Sequence, residues 1–181
     1  MSEDRRDDID VPLNTRTRHQ ERVEDLMRKA NQPIPNFPTV PDDKTILLRA
    51  RLMMEEVLET IHAMGVFVYC LNDNETDMGY SDVFMSCLDF EKLAPSNIVE
   101  VADGCADVSV VTIGTASAFG IGMAPILKAV DENNLAKFGP GHSYREDGKL
   151  IKPPGHKPPD LKSILIAQGW TPENTDVPNS G

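Results

Sequence analysis

Hydrophobic periodicity divides the chain into helical segments separated by polar and proline-rich stretches. From Arg18 to Ala30, Val23, Leu26 and Met27 recur at i, i+3 and i+4, predicting a short amphipathic helix. Between Asn31 and Pro41 stand Pro33, Pro35, Pro38 and Pro41, which fix φ, remove donors and bar a helix, so this stretch reads as an extended connector. Asp42 and Asp43 then suit a helix start, and Leu47, Leu48, Leu52, Val57, Leu58 and Ile61 give a broad apolar face to a long helix running to about Val68. Residues 72–77 read as a loop, and Tyr80 to Leu93 as a third, weakly periodic helix.

Val99 to Phe119 poses a choice, because Val108, Val110, Val111, Thr112 and Ile113 favour a strand by propensity. Glu100, Asp103 and Asp107 resolve it: at i, i+3 and i+7 they share one face of a helix, whereas a strand would scatter them over both sides. The apolar neighbours of these acids predict that this helix is largely buried. A last short helix is expected from Ile126 to Phe138, stopped by Gly139-Pro140-Gly141, with a helical finish around Leu161 to Gln168. The chain thus reads as all-α: an arm over residues 1–16 too polar to fold by itself, one domain over 17–170, and a similar tail over 171–181.

Composition narrows the function. Seven of the first ten residues are charged and they lack the apolar region of a secretory signal, so a cytoplasmic location is expected. The most apolar stretch, Val99 to Val130, carries three acids and reads as a core helix, with no membrane partner. A formal net charge of −11 with no basic stripe argues against a nucleic-acid polymer as partner. Cys70, Cys87 and Cys105 show neither CxxC nor Cys/His spacing and are expected as buried, reduced thiols. From Lys137 to Lys162, six Lys/Arg stand against three acids, a local excess able to attract an anion or simply to solvate a loop.

Two carboxylate stripes carry the candidate chemistry. Glu55, Glu56 and Glu59 lie on one predicted helix, Glu100 and Asp103 on another, with Asp107 one turn further on. Carboxylates amid apolar residues need a counter-charge, and a hard divalent cation, Mg²⁺ or Mn²⁺, suits oxygen donors and bridges to phosphates. Arg49 and Arg51 are the basic residues nearest in sequence to the first stripe. Glu59-Thr-Ile-His62 also matches the Glu-x-x-His pattern of di-iron bundles, but those need it twice; His19, His142 and His156 have no Glu three residues before them. His62 is expected to partner a carboxylate instead. A rival of another class is a non-catalytic assembly module using Met53, Met54, Met64 and Met85 as a contact surface.

At these residues the sequence resembles the MazG-like all-α nucleoside triphosphate pyrophosphohydrolases, marked by an EExxE helix (Glu55-Glu56-Val-Leu-Glu59) followed by an ExxD helix (Glu100-Val-Ala-Asp103). Val130-Asp-Glu-Asn-Asn-Leu-Ala-Lys137-Phe resembles the downstream helix with its Asn and Lys three apart, here Asn134 and Lys137. Tyr144-Arg-Glu-Asp-Gly-Lys149-Leu-Ile-Lys152-Pro-Pro resembles the loop that follows. The resemblance spans about Val23 to Leu161. It implies a helical bundle assembled as a homodimer or dimer of dimers, with Mg²⁺ or Mn²⁺ held by Glu55, Glu56, Glu59, Glu100 and Asp103. It further implies Glu55 or Glu56 as catalytic base, nucleotide binding by Asn134, Lys137, Lys149 and Lys152, and cleavage of a nucleoside or deoxynucleoside triphosphate between its α and β phosphates. A purine deoxynucleotide such as dGTP is the expected substrate, with dUTP or dCTP as alternatives, and Phe37 and Trp170 are candidates for stacking on the base. The interval between Glu59 and Glu100 exceeds the family's usual length, which marks 71–97 as an insertion.

Overall fold

The computed structural model of the chain describes residues 15–70, 87–138, 142–145, 148, 150–151, 153 and 155–172. The described chain is mostly helical, with five helices and two short antiparallel strand pairs: α1 (Arg18–Lys29), α2 (Asp43–Ala63), β1 (Val66–Cys70), β2 (Leu88–Lys92), α3 (Ile98–Ala118), α4 (Met123–Leu135), a 3₁₀ turn (Ala136–Phe138), β3 (Ser143–Tyr144), β4 (Leu150–Ile151) and α5 (Leu161–Ala167). The expected all-α class is what the chain adopts. Two compact units can be distinguished. One comprises the described residues of Met1–Asp42 and Ile113–Gly181, the other those of Asp43–Thr112, and the division falls within α3.

In the first unit α1 starts at Thr17, whose side chain accepts from Gln20 N. Its inner face is made by Gln20, Val23, Glu24 and Met27, while Leu26, expected in the apolar stripe, is turned outward. Gln20 and Glu24 can lie inside because both are fully engaged. The Gln20 amide donates to Ser117 Oγ (3.1 Å) and to the Ile121 carbonyl (2.8 Å) and accepts from Met123 N (2.9 Å). Glu24 pairs with Arg16 (2.9 Å) and Arg28 (3.0 Å). Gln168, just past α5, pairs with both backbone groups of Gly122, accepting from its N–H (2.7 Å) and donating to its carbonyl (2.9 Å). The turn between α3 and α4 is therefore held from two sides by glutamine amides. The proline-rich connector carries no helix, as expected, and Thr39 N donates to the Phe119 carbonyl (2.9 Å).

In the second unit α2 ends earlier than expected. Gly65 follows it with φ of 77°, and a Cβ there would run into the Ala94 carbonyl, so the position requires glycine. Val66-Phe67-Val68-Tyr69-Cys70 then forms β1, paired antiparallel to β2 with Val66 opposite Lys92 and Cys70 opposite Leu88. Two expectations are corrected here: 66–68 belong to a strand instead of the long helix, and 88–92 to a strand instead of a third helix. The β-branched and aromatic run after a glycine carried the first signal. The expected loop at 72–77 and residues 80–86 of the expected helix lie outside the described residues.

The predicted burial of α3 holds only for its second half, where Ile113, Gly114, Ala116, Ser117 and Ala118 are buried. Ile98 and Val99 at its start are 76% and 74% exposed, and on α2 Leu47, Met54 and Leu58 are also exposed. A helix that is apolar on nearly every side presents more apolar surface than the described residues cover. The thiol expectation is corrected likewise: Cys87 is buried, Cys70 and Cys105 are exposed. Among the described residues no single helix is long and apolar enough to cross a membrane; α3 and the helix after it reach that length only together, bent by 119°.

Candidate active site

The second unit brings the two carboxylate stripes together by joining the end of α2 to the start of α3. Asn97 N donates to the Ala63 carbonyl (2.9 Å), Ser96 Oγ to the Met64 carbonyl (2.8 Å) and Leu93 N to the Gly65 carbonyl (3.0 Å). Asn97 Oδ1 also accepts from Val99 N (3.2 Å) at the first turn of α3. The two helices run antiparallel from this junction, and one turn along they touch at Thr60 and Gly104. A Cβ on Gly104 would stand 3.1 Å from Thr60 Cβ and 3.2 Å from Thr60 Cα, and closer still to Oγ1. Thr60 is buried, and its hydroxyl donates back to the Glu56 carbonyl (2.7 Å), which fixes the side chain against the glycine. Only a residue without a side chain allows the helix backbones this approach.

Flanking that contact is a cleft of about 460 Å³ lined by Glu56, Leu58, Glu59, His62, Ala63, Glu100, Asp103, Gly104 and Asp107. Its acids come from i, i+3 on α2 and i, i+3, i+7 on α3, one helical face each. Among the described residues five carboxylates line it, and neither Lys nor Arg does. None of the five forms an ion pair among the described residues. Glu56 feels the consequence: its proton affinity is raised above the ordinary carboxylate value, first by partial loss of solvent and then by the negative charges of Asp107, Glu59, Glu55 and Asp103. Arg49 is no counter-ion here; it is buried outside the cleft lining, where desolvation lowers its pKa, and Arg51 is exposed.

Four of the five expected metal-binding acids, Glu56, Glu59, Glu100 and Asp103, thus share one cleft. Glu55 is exposed and outside its lining, although its charge acts on Glu56. Asp107 joins the other four. Their oxygens are the hard donors that Mg²⁺ or Mn²⁺ takes, and the mutual repulsion recorded at Glu56 is what a divalent cation relieves. Among the described residues no three acids already stand in a closed metal geometry. An Mg²⁺ ion that keeps several waters and shares substrate phosphates needs only one or two carboxylates in place. The residues therefore fit such an ion. His62 also lines the cleft, with its ring on Phe67 (centroids 5.1 Å apart) instead of on a carboxylate as expected.

Asn134 and Lys137 belong to the first unit, and they are paired: Lys137 Nζ donates to Asn134 Oδ1 (2.6 Å). Lys149 and Lys152 lie outside the described residues. Neighbouring Asn133, which the sequence reading passed over, donates to the Lys157 carbonyl (2.7 Å) and meets His156 Nε2 (3.0 Å), holding the loop before α5. Phe37 has its ring beside Gly169 and is 54% exposed. Thr60 and Gly104 were also missed; the available signal was a glycine directly after Asp103, inside a helix.

A mostly helical chain with an EExxE helix and an ExxD helix facing one acidic cleft belongs to the MazG-like all-α pyrophosphohydrolase superfamily. Within it, the family model described as phosphoribosyl-ATP pyrophosphohydrolase matches residues 23–134, and the chain is a member of that family. The match covers the second half of α1, all of α2 and α3 and nearly all of α4, including every acid of the cleft, and supports a pyrophosphohydrolase activity on a nucleotide-like substrate. No curated protein matches the chain.

Proposed function

We propose that this protein is a divalent-metal-dependent nucleotide pyrophosphohydrolase that converts a nucleoside or deoxynucleoside triphosphate into its monophosphate and pyrophosphate. The observation that carries this reading is the cleft with five carboxylates and, among the described residues, no Lys or Arg in its lining. Such a site favours cations over anions, so a phosphorylated substrate enters it only with metal ions between. When bound, Mg²⁺ or Mn²⁺ neutralises the phosphate oxygens and makes water more acidic. Glu56, Glu59, Glu100 and Asp103 hold the ions, with Asp107 beside them. Glu56 is the member of the Glu55/Glu56 pair that reaches the cleft, and its raised proton affinity suits it to receive the proton of the attacking water. The water oxygen bonds to the α-phosphorus, the bond from that phosphorus to the α–β bridging oxygen breaks, and pyrophosphate leaves with the electron pair.

The resemblance assigns Asn134, Lys137, Lys149 and Lys152 to the sugar and phosphate oxygens of the substrate. We take that substrate to be a purine deoxynucleotide such as dGTP. The family match favours a second reading, phosphoribosyl-ATP itself, a compound that carries the same triphosphate. The protein acts as a homodimer or dimer of dimers in the cytoplasm. The exposed apolar side chains of α2 and α3 support self-association, because a second copy covering them removes apolar surface from water.

The test is chromatographic product analysis after incubation with Mg²⁺ or Mn²⁺ and, separately, each common NTP, each dNTP and phosphoribosyl-ATP. Monophosphate plus pyrophosphate, abolished by EDTA and by Glu59→Gln, is the expected result. No turnover of any of them under either metal would overturn the proposal and leave the non-catalytic assembly module as the better account.

A further inference from the structure

Immediately after the Asn134–Lys137 pair, the first unit carries three aromatic rings in mutual contact on its surface. Phe138 closes the 3₁₀ turn, and its ring centroid is 6.0 Å from that of His142 at 58°. The His142 ring is 5.9 Å from Tyr144 at 84°, an edge-to-face pair. Tyr144 is fixed in turn by the β3–β4 pairing, in which it stands opposite Leu150. These rings do not serve a core: Phe138 is 54% and Tyr144 56% exposed, and His142 is exposed as well.

Ordered aromatic surface left in water is unfavourable, and in an edge-to-face pair at least one ring face remains uncovered. Planar heterocycles stack on such faces whatever their sequence of polar atoms. The residue before Phe138 adds a cation: the Lys137 ammonium has three donors, and the bond to Asn134 uses one. Aromatic faces that follow this ammonium and amide directly in the chain match the two halves of a nucleotide, its flat base and its anionic sugar-phosphate.

We propose that Phe138, His142 and Tyr144 form a stacking surface for the base of a nucleotide, with Lys137 and Asn134 taking its sugar-phosphate oxygens. This assignment rests on the nucleotide reading above and adds to it the group that recognises the base, a role the sequence suggested for Phe37 and Trp170 instead. The edge-to-face wall selects for a flat ring and not for phosphate, so its loss affects base-containing ligands alone.

The test uses the full chain with Mg²⁺ and calorimetric titration of two probes, the deoxynucleoside monophosphates and base-free inorganic tripolyphosphate. Phe138→Ala and Tyr144→Ala should each weaken monophosphate binding by about tenfold or more, the scale of one base-aromatic stack. Tyr144→Phe, which keeps the ring, should bind as the parent does, and tripolyphosphate affinity should be unchanged in all three. Because the rings are exposed, the alanine variants should unfold at the parent's midpoint. Monophosphate affinity unchanged in both alanine variants, or absent in the parent, overturns the assignment. Triphosphate turnover measured alongside separates the two levels: turnover with unaltered KM in the alanine variants sinks the stacking surface alone, whereas failure of the parent to hydrolyse any nucleotide sinks the pyrophosphohydrolase reading.

Discussion

Replacing Gly104 by alanine isolates the contact that sets the spacing of the two carboxylate faces. The added methyl would stand 3.1 Å and 3.2 Å from Thr60 Cβ and Cα, against an optimal carbon separation of about 3.5–4.0 Å. With Oγ1 closer still, the helices must part by at least roughly half an ångström at this point. Overpacking of this kind costs about 1–3 kcal/mol, while alanine in place of glycine inside a helix returns about 1 kcal/mol. The net loss of stability is about 0–2 kcal/mol, a melting shift of at most about 8 °C for a chain of this length. The effect on chemistry should be larger, because Glu56 and Glu59 move relative to Glu100, Asp103 and Asp107, and a misplacement near 1 Å can cost on the order of a hundredfold. We expect Gly104→Ala to fold, to bind Mn²⁺ more weakly in calorimetric titration and to turn over nucleotide about ten to a hundred times more slowly. Placing the small residue on the other helix, Thr60→Gly with Gly104→Ala, removes the Oγ1 and Cβ contacts and should recover part of the loss. Parental turnover and Mn²⁺ affinity in Gly104→Ala would refute the idea that this contact sets the cleft.

Glu59→Gln should lose about a hundredfold or more in turnover, yet change stability by no more than about 0.5 kcal/mol, since it alters an exposed side chain; circular dichroism melts beside product assays check both halves. The raised Glu56 proton affinity sets a sign for pH. A carboxyl whose pKa is higher in the folded protein stabilises the fold below its unfolded pKa, and that contribution is lost as pH rises through the folded value. Metal-free protein should thus gain stability on acidification through that range while Mn²⁺ affinity falls, and Glu56→Gln should flatten both trends in melts and titrations. Gln20→Ala leaves the Ser117 hydroxyl, the Ile121 carbonyl and Met123 N without their partner, and should cost about 2–4 kcal/mol in urea unfolding; a change under 0.5 kcal/mol would mean the network is not structural. Gly65→Ala meets both a positive φ and the Ala94 carbonyl, so it should destabilise the second unit by at least about 1–3 kcal/mol, read as early loss of hydrogen-exchange protection in β1 and the end of α2.

Much of the helical framework was legible because periodicity survives without tertiary context. The i, i+3, i+7 spacing of Glu100, Asp103 and Asp107 made α3 a helix against the propensity of its valines, and the four prolines of the connector bar helix in any environment. The helical pattern misled where it was carried past a single residue: Gly65 ended α2, and the following β-branched run, a strand by propensity, paired with 88–92, a partner distant in sequence. Burial was misjudged for a related reason. Apolar composition shows that a surface needs covering but not what covers it, so Val99 was expected inside and is exposed, whereas Gln20 and Glu24, outside the predicted apolar stripe, are buried.

The sequence by itself determined the donor set, acids at helical spacing on two segments, since residue type and periodicity are local properties of the chain. Only the tertiary structure decided which acids share a cleft: Asp107 enters with Glu56, Glu59, Glu100 and Asp103, Glu55 stays outside, and among the described residues no arginine or lysine lines the site. That selection depends on the axial register between α2 and α3. The register is set by hydrogen bonds at their junction and by Thr60 seated on Gly104, contacts between residues distant in sequence that no local pattern encodes.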